Sequence, residues 1–297
     1  MNFSRKNTIT LLKVCAFLIF IGRGYQFLFF DAPFRALLWD HGLMAGIVEG
    51  WFNTPWQDYV TNLTVDSWIQ RSIRINGALY VLAGIAALAI NNKNKKWLKL
   101  PIIIGAVLLT VLSVLLMKAK FFHYAQFFEH AIQFATPLVL LMALNERISL
   151  QKITFTLKVL IAITFTSHGL YALGYYQVPG NFIDMTIASL GISENTTVTF
   201  LYIAGVLDLV LSVAIFIPKI ARYALLYAFI WGIMTALARV VAGTYIDFFA
   251  DSLHQSLHLT IYRIPHGLVP LLAFLLYQRQ FKTHATPQKN HTNPALT

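Results

Sequence analysis

Apolar positions along this chain gather into long runs instead of recurring every second or every third and fourth residue. Eight runs stand out, at about 8–30, 73–91, 98–117, 124–144, 155–176, 198–217, 222–243 and 262–278. Each approaches the roughly 20 residues that a helix needs to cross a hydrocarbon core about 30 Å thick. No water reaches backbone groups inside such a core, so each run must satisfy its own hydrogen bonds as a helix. The pattern predicts an all-α membrane fold with eight transmembrane helices. Pro33, Pro55, Pro101, Pro179 and Pro218 punctuate the edges of these runs. Pro137 and Pro270 lie inside runs, where they are expected to kink the helix.

The polar stretches between the runs set the orientation. With Arg5 and Lys6 inside, "NNKNKKWLK", "NERISLQK", "PKIAR" and the tail "QRQFKTHATPQKN" all fall on the same side. Glu146 is the one acid on that side, and the other loop acids gather opposite it. A Lys and Arg excess marks the cytoplasmic face, so both termini are expected to be cytoplasmic in a plasma or inner membrane. The longer outer segments, 31–72 and 177–197, carry Trp39, Trp51, Trp56, Trp68, Phe182 and Met185. Such half-apolar aromatic stretches predict amphipathic helices lying in the outer interface. Arg5 and Lys6 also resemble a signal-peptide start. The run they precede is too long for an ordinary h-region, and no small-x-small site follows, so it reads as an uncleaved first span.

Composition agrees with this picture. The chain has 297 residues, 57% hydrophobic and 12% charged, with a mean hydropathy of +0.63. A soluble domain carries about 25% charged residues. The net charge of +11 would raise nucleic acid as a partner in a soluble protein. Here the bases sit between apolar runs and report topology, so the expected partner is the bilayer and no nucleic acid is implied. Cys15 is the one cysteine, so neither an internal disulfide nor a cysteine-rich metal site can form.

An internal repeat divides the chain. Lys13-Val14, Phe20 and Gly24 recur as Lys158-Val159, Phe165 and Gly169. Gly77 matches Gly205, and Pro137 matches Pro270. The last match sets His130 opposite Arg263 and Gln133 opposite His266. The order span, outer amphipathic segment, two spans and a polar-topped span with Pro occurs twice. This predicts two four-helix repeats, 1–150 and 151–297, inserted in parallel, unlike the inverted repeats of many transporters.

Ionisable groups inside spans are costly in lipid and default to functional candidates. They cluster in the outer halves: Arg23, Arg74, Glu129, His130, His168, Arg239, Arg263 and His266, with Asp208 nearest the midplane. His123, Gln126, His130, Gln133 and Pro137 follow a 3, 4, 3, 4 spacing and would form one face of a continuous helix. His254, His258, Tyr262 and His266 follow a spacing of four. Two polar stripes descending from the outer side predict an outward-facing cavity lined by both halves. A purely structural role would take another form, with Glu129 paired to Arg23 or Arg74 and Asp208 to Arg239 or Arg263. Packing alone does not require the one-sidedness.

Three chemistries could use such a site. Glu129, His130, His168, Asp208 and His266 could exchange protons with a quinone in a catalytic role. Arg23, Arg74, Arg239 and Arg263 could bind an anionic or lipid-like solute for transport. Metal or haem is disfavoured, since no HExxH or comparable ligand spacing occurs. A serine hydrolase lacks its GxSxG elbow.

"FTSHGLYALG" at 165–174 and "AGVLDLVLSVAIFI" at 204–217 resemble the first- and second-helix patterns of DoxX-like (DoxD-like) membrane proteins. Gly205 and Asp208 fit, with Asp in place of the family's usual Glu. Ala172 stands where a Lys usually follows the HG pair, and Tyr80 stands in the first half where the acid would be. The resemblance covers about 150–280, and it reaches the first half only through the repeat. It implies a four-helix unit and redox or quinone-linked chemistry, as in the thiosulfate:quinone oxidoreductase subunit. The sequence thus orders three expectations: redox or quinone-linked function, then transport of an anionic or lipid-like solute, then a non-catalytic subunit serving a membrane-protein partner.

Overall fold

A computed structural model describes residues 3–91 and 94–284. Among these residues the chain is all-helical. Seven helices are long and apolar enough to cross a membrane. The first is α1 (Arg5–Phe29), capped by Ser4, whose Oγ accepts from the Asn7 backbone N–H. Short helices follow: α2 (Arg35–Leu38), α3 (His41–Val48) and α4 (Trp56–Thr61). Two long helices, α5 (Leu63–Ala89) and α6 (Lys95–Ala119), come next. After them stand α7 (Tyr124–Phe128) and α8 (Ala131–Ala143).

The remainder begins with α9 (Leu150–Ala172), capped by Ser149 as α1 is by Ser4. The short helix α10 (Gly180–Leu190) leads into α11 (Glu194–Ala214) and α12 (Ala221–Gly243). A 3-10 turn, Ile246–Phe248, opens α13 (Phe249–Ile261), and α14 (Pro265–His284) closes the described residues. The tail beyond His284 and Lys93 of the first basic loop, both read above as inner charge, lie outside the described residues.

The run 124–144 departs from expectation. It is not one helix. It breaks at Glu129 and His130 into α7 and α8, of 5 and 13 residues, and neither alone is long enough to span. The polar side chains that looked like a stripe make the break tolerable. The His130 Nδ1–H donates to the Gln126 carbonyl at 2.9 Å, replacing a backbone bond that the break removes. The Gln133 N–H then restarts the ladder on the His130 carbonyl at 2.8 Å. Non-helical backbone at such depth is stable only when buried in protein, and His130 and Gln133 are buried. The 262–278 run has the same feature. α13 and α14 are separated at Tyr262–Ile264, and the His266 N–H bonds the Arg263 carbonyl at 2.8 Å.

Long helices pack in two sets. α1 lies on α5, α8 and α14, and α5 and α8 lie on α6. α9 lies on α11, α14 and α8, and α14 lies on α12. Glycines set the closest crossings. A Cβ on Gly77 would meet Leu28 N at 3.0 Å, and one on Gly24 would meet Gly77 O at 3.2 Å. On the other side, a Cβ on Gly205 would meet Leu173 N at 2.9 Å, and one on Gly169 would meet Gly205 O at 2.9 Å. The core between the sets is aliphatic and aromatic. The outward faces are equally apolar: Leu82, Val107, Val210 and Val213 are exposed, as a lipid-facing surface requires.

The short helices between α1 and α5 are tied down by charge. Arg35 binds Asp66 at 2.7 Å and Asp31 at 2.8 Å. Lys118, in the last turn of α6, donates to Asp40, the N-cap of α3. That ammonium holds the Asp40 carboxyl below the usual carboxylate range.

Candidate functional site

The two helix breaks deliver their polar residues to one place. Arg23 of α1 donates Nε and a terminal nitrogen to Gln133 Oε1 at 2.9 and 2.7 Å, and its other terminal nitrogen to Gln26 Oε1 at 2.7 Å. Its guanidinium lies 3.8 Å from the centre of the Tyr262 ring. Glu129 sits at the first break. Gln126 Nε2 donates to its Oε1 at 2.8 Å, and Tyr171 Oη donates to Gln126 Oε1 at 3.3 Å. His130 and His168 each approach Glu129 at 3.6 Å, and Arg263 approaches it at 3.7 Å. The rings of His168 and His266 are 6.0 Å apart. Arg239 bonds the Thr235 carbonyl one turn back on its own helix.

Of the nine singled-out residues, Arg23, Glu129, His130, His168, Arg263 and His266 therefore meet in one cluster. Asp208 and Arg239 stand on its flank, in the wall of a cavity that also includes His168, Arg263 and His266. Arg74 is the exception: it is exposed on α5. The pairings considered for a structural role do not occur as expected. Among the described residues, Glu129 finds Arg263 rather than Arg23 or Arg74 within 4.0 Å, and Asp208 has no cation within that distance.

The cavity holds about 150 Å³. It is walled by α9, α11, α12 and the α13–α14 break, and roofed by α10. Its lining runs from Phe165 to His266, and α1 and α8 contribute none of it. Most of the wall is apolar, from Phe165, Phe182, Phe200, Leu201 and Trp231. Exposed Leu190 and Met234 stand at its rim. Polar atoms are few, and several lack partners. Asp208 Oδ1, Arg263 Nε and His266 Nε2 are buried with no hydrogen-bond partner. The His266 Nδ1–H is committed to the Arg263 carbonyl at 3.1 Å, which leaves Nε2 as an acceptor.

Trp231 and Phe182 were not singled out as site residues. Nothing in the pattern separates a tryptophan lining a cavity from one facing lipid. No family model matches the chain, and neither curated proteins nor solved structures give a match.

Proposed function

We propose that this multi-pass membrane protein binds a lipid-borne amphiphile with an anionic head group in the cavity beneath α10, as a transporter of that solute. One observation carries the reading. Arg239 and Arg263 stand in the wall of a mostly apolar cavity, together with Asp208, His168 and His266, and Arg239 has no carboxylate within 4.0 Å among the described residues. Arg239 is half-buried in this wall, and a cation partly withdrawn from water is costly unless paired. An anionic head at that spot supplies the counter-charge, and the aromatic wall takes the tail.

The same reading assigns eight crossings in two parallel halves, with α7–α8 and α13–α14 each serving as one broken span. The matched caps at Ser4 and Ser149, the matched helix breaks and the matched glycine crossings support it. So does the resemblance to a DoxX-like four-helix unit. The basic loops support an inner-membrane location with cytoplasmic termini. Arg239 and Arg263 then bind the head, with His168 and His266 beside them.

A second reading, quinone-linked redox chemistry, is favoured by Asp208 and His266. His266 Nε2 is free to accept from a quinol hydroxyl, and Asp208, in the same cavity wall, would take up the proton. Labelled oleate binding to the detergent-purified protein separates the two. The first reading expects saturable binding weakened about ten-fold or more by Arg239→Gln and by Arg263→Gln, the scale of one charge-assisted bond. Absence of oleate binding together with a co-purified quinone would replace it with the second.

A further inference from the structure

The two halves have the same crossings but different fillings. Gly24, Gly77 and Leu28 meet in the first half as Gly169, Gly205 and Leu173 do in the second. That correspondence places Phe27 opposite Ala172 and Tyr80 opposite Asp208, with Phe20 opposite Phe165. In the first half Phe27 and Tyr80 are each 1% exposed, and their rings meet edge to face at 5.1 Å. Phe20 packs on Tyr80 at 6.3 Å. In the second half Ala172, Asp208 and Phe165 all line the cavity. The missing side-chain volume is that of one phenyl ring and most of a phenol. Close-packed interiors leave no such space by accident.

We infer that Ala172 and Asp208 are the residues that make the second half a ligand-binding unit, and that Phe27 and Tyr80 plug the equivalent space in the first. The inference rests on the paired-halves reading given above. It assigns one ligand per chain. It also makes position 172 the size gate for the ligand tail and position 208 the polar contact opposite the arginines.

The test needs no knowledge of the ligand. Leu201 lines the cavity, and its counterpart Ile73 is fully buried. Each is changed to Cys in the full chain carrying Cys15→Ala, and reacted with N-ethylmaleimide in detergent. Leu201→Cys is expected to react about ten-fold faster than Ile73→Cys, because a packed interior has no room for the reagent. Adding Ala172→Phe with Asp208→Tyr is expected to slow it to the Ile73→Cys rate. If that pair does not fold, Ala172→Leu alone is expected to give a partial slowing. Phe27→Ala is expected to speed Ile73→Cys. Equal rates at the two cysteines, or a Leu201→Cys rate untouched by filling position 172, would overturn the assignment. Oleate binding run on the same proteins reads the ligand separately. The expected labelling pattern without oleate binding would uphold the gate and reject the anionic amphiphile. A stoichiometry of two oleates per chain would reject the plug.

Discussion

Gln133→Leu removes the acceptor that holds Arg23 in place. The arginine is 2% exposed and gives two of its donors to one oxygen, Gln133 Oε1, at 2.9 and 2.7 Å. Leucine fills a similar volume and offers no acceptor. Gln26 and the Tyr262 ring remain, so the charge keeps part of its shell. A hydrogen bond to a charged group contributes about 1.5–3 kcal/mol. Leaving a buried charge short of its partner costs about 3–5 kcal/mol. With part of the shell retained, a loss of about 3 kcal/mol is expected. Because Gln133 belongs to α8 and Arg23 to α1, the loss falls on the contact between those helices. The assay is reversible unfolding of the purified protein in mixed micelles by increasing SDS, followed by helicity. Gln133→Glu, which keeps the acceptor and adds a negative charge, is the control expected to be neutral or stabilising. A change below about 0.5 kcal/mol for Gln133→Leu, the range of an ordinary surface substitution, would refute the claim that this contact anchors the cluster.

Gly205→Ala is expected to destabilise by about 1–2 kcal/mol in the same assay, since overpacking costs about 1–3 kcal/mol and the gain in helix propensity returns up to about 1. The added Cβ would stand 2.9 Å from Leu173 N and Gly169 O, both backbone atoms, so the helices must part; a stabilised variant would contradict the crossing. The Lys118–Asp40 tether is expected to weaken in acid. The Asp40 carboxyl is lowered in the fold, so its contribution is present above the unfolded value and is lost as pH falls through the folded one. Protection of the amides over 40–48, measured relative to the intrinsic exchange rate at each pH, is expected to fall at low pH in the native chain and to be low already at neutral pH in Lys118→Met; protection that does not change with pH in the native chain would remove the tether. For topology, Asn53→Cys in intact cells is expected to react with a membrane-impermeant maleimide, and Arg147→Cys only after permeabilisation. The reverse pattern would invert the orientation.

The hydrophobic runs by themselves determine that this is a multi-pass helical membrane protein, because a span must satisfy every backbone bond internally and so leaves an unmistakable length of apolar sequence. They also foretell where polar chemistry gathers. Arg23, Glu129, His130, His168, Arg263 and His266 were legible as outer-half ionisable residues, and they do converge. Arg74 has the same signature and stays outside, since position in a run does not say which way a helix face turns. Only the tertiary structure decides that 124–144 is two helices. His130 capping Gln126 and Gln133 meeting Arg23 are contacts between side chains and backbone that periodicity does not encode. Only the tertiary structure gathers α9, α10, α11, α12 and the α13–α14 break around one cavity. That depends on volume, on small Ala172 and Asp208 standing in the wall beside larger side chains, and volume is a property of what packs around a residue, which a one-dimensional pattern does not carry.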